Sequence, residues 1–188
     1  MGRELVPEDI RVGVAYEAVR GNERARLADQ QRLRRVAVGD VLSLVFENRA
    51  SLSAALEEML RTERTTDPER VAAGITAFNA LVPADGVMGA TLYVDVADPA
   101  ELAATIAELD GVERSVHLEV GGASVAGVPD EAEPEEAAGA WHIRFTLDDA
   151  HRGAWRGATE VAVGVEHPAR RARVVLTEEQ RRAIGADL

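Results

Sequence analysis

The sequence contains no cysteine and no lysine, and these two absences exclude several classes of site. Without cysteine the chain has no disulfide, no thiolate nucleophile, and no cysteine-ligated zinc or iron–sulfur cluster. All 21 basic residues are arginine, so a covalent pyridoxal phosphate site, any other Schiff-base lysine and the P-loop lysine are excluded as well.

Aromatic residues are scarce, at 4% of the chain, so we expect a core built mainly from Val, Leu, Ile and Ala. Basic residues are outnumbered by acidic ones, which gives a formal net charge of −12. An acidic chain repels phosphate backbones and anionic lipid. Neither short arginine cluster, at residues 32–35 and 170–173, is interleaved with aromatic side chains. We therefore expect no nucleic-acid partner and no membrane partner.

Long apolar runs are also missing from the sequence. No segment is long enough to cross a bilayer, and the first residues lack the apolar core of a signal peptide. Because there are no cysteines to suggest export, we expect a cytoplasmic protein.

The order of the predicted elements indicates the fold class. Residues 36–46 are rich in β-branched and apolar side chains and read as extended, and several short strands with short links occur later in the chain. Short links favour antiparallel pairing. The sequence therefore predicts an α+β fold, a single domain over residues 1–188 with a mostly antiparallel sheet packed by several helices. Within it we expect an N-terminal helical arm at residues 1–35 and a solvated acidic loop at residues 128–139.

Several helix starts are indicated by capping residues. Ser51 is the predicted N-cap of a helix that runs to about Arg64. Asp67 and Asp98 are each followed by proline, and Thr177 opens a capping box, so three further helices are predicted at these positions.

The densest cluster of polar side chains follows the predicted strand that ends near Phe46. Arginine–carboxylate networks with spare donors bind carboxylates and phosphates. The candidate ligand- or partner-binding residues are Arg35, Glu47, Asn48, Arg49, Glu58, Arg61 and Arg64. Spacings of three and four residues predict that Arg61 bridges to Glu57 or Glu58. A structural ion-pair network or a dimer interface is the alternative use of the same side chains.

Histidines and acids on predicted strands give a second candidate site. His117 and Glu119 share one strand face, His142 lies on a polar strand face, and His167 lies at a strand end. Three such groups from neighbouring strands can form a facial triad for iron, manganese or zinc. Capping or hydrogen bonding in the core is the alternative role for these histidines.

From Arg35 onward the chain resembles the bacterial family known as domain of unknown function 3501. The resemblance is carried by Arg34-Arg35-Val36, Gly39-Asp40, Phe46-Glu47-Asn48-Arg49, Glu58-Met59-Leu60-Arg61, Glu63-Arg64, Asn79 with Leu81 and Pro83, Ala90-Thr91-Leu92, His142 with Phe145, His167-Pro168 and Asp187-Leu188. The chain departs from the family pattern at Leu56, Phe78 and Arg170, where glutamine, tyrosine and tyrosine are expected.

The resemblance implies a cytoplasmic protein encoded beside rubrerythrin-like and iron–sulfur oxidoreductase genes. We therefore expect an accessory protein that binds a ligand or partner and is linked to a redox system. We also expect a homodimer with a redox protein as its partner. The alternative is a small metal-dependent enzyme that acts on an anionic small molecule. That enzyme would use His142, His167 and a carboxylate, and Arg49 or Arg61 would hold the substrate.

Overall fold

Helices and strands occupy largely separate parts of the molecule. The structure, a computed structural model, describes residues 4–130, 139–157 and 160–188. It divides into two units, which are Met1–Arg32 with Glu47–Asp85, and Leu33–Phe46 with Gly86–Leu188. The first unit is helical, and the second contains both β-sheets.

The first unit is built from four α-helices in its described residues, after a short 3₁₀ turn at Pro7–Asp9. They are α1 (Gly13–Glu17), α2 (Arg20–Arg34), α3 (Arg49–Thr62) and α4 (Pro68–Asn79). The buried core of this unit is formed by the segment before α1, by α3 and by α4, and consists of Leu5, Ile10, Leu56, Leu60, Val71 and Ile75. Gly74 allows α4 to approach α3, because a Cβ atom at this position would lie 2.8 Å from Leu56 Cδ1.

The segment before α1 is tied to the end of α4. The side-chain amide of Asn79 accepts a hydrogen bond from the Leu5 N–H (2.7 Å) and donates one to the Leu5 carbonyl (3.0 Å). Residues expected to form an N-terminal arm therefore pack in the same unit as α3 and α4.

Helix α3 begins three residues earlier than a cap at Ser51 would place it. Asn48 is the N-cap, since its backbone is extended (φ −144°) and its Oδ1 accepts a hydrogen bond of 2.9 Å from the Ser51 N–H. Ser51 Oγ accepts from the Asn48 N–H in return, also at 2.9 Å. The prediction of Ser51 as the N-cap was wrong because Asn48 and Ser51 act as the two partners of one capping box. The caps predicted at Asp67, Asp98 and Thr177 are confirmed.

The second unit contains the strands and three further α-helices in its described residues. The strands are β1 (Arg35–Val38), β2 (Leu42–Glu47), β3 (Val87–Val94), β4 (Val116–Val120), β5 (Ala123–Ala126), β6 (Val128–Pro129), β7 (Ala140–Thr146), β8 (Val161–Glu166) and β9 (Arg171–Val175). The helices are α5 (Pro99–Glu108), α6 (Asp149–Gly157) and α7 (Glu178–Gly185).

The strands form two antiparallel sheets that share one apolar core. The order is β1-β2-β3-β7-β6 in the first sheet and β5-β4-β8-β9 in the second. Alternating side chains from both sheets meet inside, and Leu44, Leu92, Ile143, Leu118 and Val163 are fully buried there. The predicted α+β class with antiparallel pairing is confirmed. The strands form two sheets rather than one, and the apolar faces of the two sheets pack against each other.

The acidic segment is only partly described. Val128–Pro129 forms the short strand β6, and residues 131–138 of the predicted loop lie outside the described residues. In the part of the chain that is described, no helix is both long and apolar enough to cross a membrane.

Candidate functional site

A groove in the helical unit has a volume of about 290 Å³. Helices α2 and α3 form its two walls. The α2 wall consists of Glu23, Arg24, Leu27, Ala28 and Gln31, and the α3 wall consists of Ser51, Ala54, Ala55 and Glu58. In each wall the residues recur at spacings of three and four, so each set is one face of its helix.

The groove exists because the facing side chains are small. Ala28 on α2 and Ser51, Ala54 and Ala55 on α3 leave space that larger residues would fill. Tyr16 lines the groove as well, and its side chain is only 2% exposed. The groove opens to solvent, since Arg24, Ala28, Gln31 and Ala55 are exposed.

Tyr16, Glu58 and Arg20 form a hydrogen-bonded group at one end of the groove. The Tyr16 hydroxyl donates to Glu58 Oε1 at 2.9 Å. The Arg20 guanidinium donates to both oxygens of the same carboxylate, at 2.8 and 3.2 Å. Both oxygens of Glu58 are therefore engaged, and this bidentate geometry fixes the carboxylate in place.

The protonation states of the groove follow from these contacts. Burial, reinforced by the hydrogen bond to Glu58, raises the pKa of Tyr16 to about 12. The Arg20 guanidinium holds the pKa of Glu58 below its usual value. Arg26, together with Arg11, likewise lowers the pKa of Glu23. At neutral pH the tyrosine is therefore a neutral donor and both glutamates are ionised.

A second arginine network is centred on Arg11, which donates hydrogen bonds to Glu57 and Glu23. Glu57 is only 1% exposed and accepts hydrogen bonds from the Arg11 backbone N–H (2.9 Å), Nε (2.8 Å) and Nη2 (3.1 Å). Arg11 Nη1 also donates to Glu23 at 3.2 Å, and Arg26 donates to the other oxygen of Glu23. The buried carboxylate is compensated by several donors, as a charge inside a protein requires.

Arg24 is different from these arginines. Within the described residues it makes no hydrogen bond or ion pair, and it acts on Glu58 only through space. The three arginines of the two networks, Arg11, Arg20 and Arg26, hold the three carboxylates Glu23, Glu57 and Glu58. Arg24 is therefore an additional guanidinium that none of these carboxylates needs for compensation.

Comparisons with known proteins identify the family of the chain and a similar solved structure. The family model described as "Protein of unknown function (DUF3501)" matches residues 4–188. The chain belongs to this family. A crystal structure of a novel protein of unknown function from Burkholderia pseudomallei K96243 is similar to it, with 27% identity, a TM-score of 0.91, and coverage of 99% of this chain and 100% of that chain. The search of curated proteins found no match.

In this DUF3501 chain the seven candidate binding residues do not converge on one site. Glu58 lines the groove, whereas Arg61 Nε donates to Glu17 at 2.6 Å rather than to Glu57 or Glu58. Arg49 is paired with Asp9. Arg64 follows the end of α3 with a left-handed backbone (φ 54°).

The remaining three candidates serve the structure around them. Asn48 caps α3, and Glu47 accepts a hydrogen bond from Ser51. Arg35 belongs to the second unit, where its guanidinium lies 5.7 Å from the centre of the Tyr93 ring and pairs with an acid at the end of β3.

The candidate metal ligands lie in three separate places of the second unit. His117 and Glu119 are 3.7 Å apart on β4, but Arg173 already binds both oxygens of Glu119. His142 is on the other sheet, where its Nδ1 lies 3.0 Å from Asp130 Oδ2. Among the described residues no group of three or more such side chains is arranged to hold a metal ion. Elemental analysis of the purified protein tests the predicted iron, manganese or zinc site directly.

His167 shows why a histidine at a strand end need not be a ligand. Its Nδ1 accepts a hydrogen bond from the Ala169 N–H at 3.3 Å, and its Nε2 lies 3.0 Å from the Asp110 carbonyl, to which it can donate. The side chain is 8% exposed. A neutral ring with one donor and one acceptor satisfies both contacts, so His167 holds the turn after β8 in place.

The analysis of the sequence missed most of the groove. Tyr16, Arg20, Arg24, Leu27 and Gln31 were not among the candidates. A usable signal was present in α3, where Ser51, Ala54, Ala55 and Glu58 recur at helical spacing. They lie beside the face that buries Leu52, Leu56 and Leu60. A second face of small residues on one helix indicates a second neighbouring helix. Across the groove, that neighbour of α3 is α2.

Proposed function

We propose that this protein binds a small anionic molecule with an apolar body in the groove between α2 and α3. Arg24 carries the proposal, since its guanidinium makes no hydrogen bond or ion pair in the described structure and lies at the edge of a groove whose walls are partly apolar. An exposed guanidinium attracts carboxylate, sulfonate and phosphate groups.

The size and lining of the groove support a small molecule rather than a helix or a protein surface. Its volume of about 290 Å³ lies near the lower limit of sites for small molecules, about 300 Å³. Leu27, Ala28, Ala54 and Ala55 supply apolar surface between its polar ends.

The chemistry of the lining favours binding over reaction. The carboxylates of Glu23 and Glu58 are held by arginines, and the Tyr16 hydroxyl donates to Glu58. A general base needs a pKa near the working pH, whereas the contacts of both carboxylates lower their pKa values. The groove is therefore suited to hold a ligand.

The family resemblance supports a wider proposal, in which this binding protein is a homodimer that serves a redox system. Any cysteine-ligated centre of that system would sit on a partner chain, because this chain has no cysteine. Co-purification from a native extract tests the association, and sedimentation analysis of the pure protein tests the dimer.

Titration with anilinonaphthalene sulfonate tests the binding site. This fluorescent probe combines an aromatic body with one anionic group. We expect Arg24→Ala to weaken binding by about tenfold, a free energy of about 1.4 kcal/mol. Ala54→Phe fills the groove and should abolish binding. Arg32→Ala is the matched control, because Arg32 is an exposed arginine of the same helix that does not line the groove. Equal affinity for the probe in the wild-type protein, Arg24→Ala, Ala54→Phe and Arg32→Ala would refute the proposal.

A further inference from the structure

Of the polar side chains of α2 that line the groove, Arg24 and Gln31 keep unused hydrogen-bonding capacity, and they lie at opposite ends of the wall. Gln31, like Arg24, lines the groove, is exposed and makes no hydrogen bond to the described part of the chain. The two residues are seven apart in one helix, which places their Cα atoms about 10 Å apart along its axis. Leu27 and Ala28 lie between them.

The opposite wall has no comparable free group. On α3, Glu58 is engaged by Tyr16 and Arg20, and the Ser51 hydroxyl is used in the helix cap and by Glu47. Between these two residues the α3 wall consists of Ala54 and Ala55. A ligand in the groove would therefore meet the Arg24 guanidinium at one end, beside the arginine-held carboxylates of Glu23 and Glu58, then apolar surface in the middle and the Gln31 amide at the other end.

From this arrangement we infer that the groove selects linear molecules with an anionic group at one end and a hydrogen-bonding group at the other. An omega-hydroxy fatty acid has this chemistry, and a plain fatty acid lacks the second polar end. The inference rests on the proposed function and adds a preference for the far end group. The spacing of Arg24 and Gln31 would also set an optimum ligand length.

Gln31 can act on either kind of end group. Its amide carries both donors and an acceptor, so it can pair with a hydroxyl, an amide or a second carboxylate. When a plain alkyl end lies against Gln31, the amide loses water without gaining a partner, and this costs affinity. A polar end restores the hydrogen bond. Discrimination therefore comes from the unpaired amide as much as from the new contact.

Competition against bound anilinonaphthalene sulfonate tests the inference. The competitors are plain fatty acids and omega-hydroxy fatty acids from hexanoate to dodecanoate. We expect the omega-hydroxy acid of the best length to bind roughly threefold to tenfold more tightly than the plain acid of equal length. Gln31→Leu should reverse the preference. Gln30→Leu should not, because Gln30 is an exposed neighbour that does not line the groove.

The outcomes separate this inference from the proposed function. If both series displace the probe equally in the wild-type protein and in Gln31→Leu, the end-group preference is refuted while anion binding stands. If neither series nor the probe responds to Arg24→Ala, both the binding site and the preference are refuted. A preference that survives in Gln31→Leu would assign the selection to a residue other than Gln31.

Discussion

The imidazole ring of His117 lies directly on the backbone of Gly164, at a site where any Cβ atom would overlap the ring. The two residues are paired in register on β4 and β8. Gly164 is therefore required by packing rather than by its backbone angles. Arg173 on β9 binds Glu119 on β4 across β8, which lies between these strands in the same sheet. The β8 residues paired with them are Gly164 and Ala162, and their small size leaves room for this ion pair.

Replacement of Gly164 by alanine tests this packing. We expect Gly164→Ala to lower the free energy of unfolding by about 1–3 kcal/mol, since the ring must move. Gly153→Ala is the control, because its Cβ would meet no atom within 4 Å. Gly153 lies in a helix, and the control should stabilise by up to about 1 kcal/mol. In urea unfolding, the double variant His117→Ala/Gly164→Ala should recover part of the loss.

The buried Glu57 predicts a large difference between two arginine deletions. Arg11→Ala removes the compensating charge from a carboxylate that is 1% exposed, so we expect destabilisation of about 3 kcal/mol. Arg26→Ala removes an exposed ion pair with Glu23 and should cost less than about 1 kcal/mol. Similar losses in both variants, measured by denaturant unfolding, would contradict the assigned role of Glu57.

The ionisation of Tyr16 gives a direct probe of the groove. In a Tyr93→Phe background it is the sole tyrosine, and spectrophotometric titration should give a pKa of about 12. Adding Glu58→Gln should lower this pKa yet leave it above the usual value, because burial is the larger cause. A normal pKa in the Tyr93→Phe protein would show that Tyr16 is not buried as described.

Glu58 should contribute to the acid sensitivity of the fold. Its pKa is lower in the folded chain than in the unfolded chain, mainly through Arg20. The unfolded chain therefore binds the proton first as the pH falls, and the stabilisation present at neutral pH is lost below the unfolded value of about 4.3. Glu58→Gln should show a smaller loss of unfolding free energy between neutral pH and a pH below about 4. An unchanged pH profile would be evidence against the ion pair.

The sequence predicted the elements better than their contacts. The β-branched and apolar stretch at residues 36–46 and the capping residues before α4, α5 and α7 are local signals, and together with the short links between the later strands they were sufficient for the α+β class. The N-cap of α3 was misplaced because Asn48 and Ser51 have the same capping chemistry, and only the backbone angle at Asn48 distinguishes them.

The partners of the arginines could not be predicted in the same way. Spacing rules offered Glu57 and Glu58 as partners of Arg61 within α3, yet these carboxylates bind Arg11 and Arg20, which are 46 and 38 residues away in the chain. Such choices depend on how the helices of the first unit pack. The groove is harder still to predict, because it arises from volume that small side chains leave empty.

The two-residue strand β6 has a consequence for how copies of this protein can associate. It lies at the edge of the five-stranded sheet, and its second residue is Pro129. Proline has no N–H to donate, and such a short edge offers few backbone groups to a further strand. Pairing of strands from two copies through this edge is therefore disfavoured, and a homodimer would have to form at another surface.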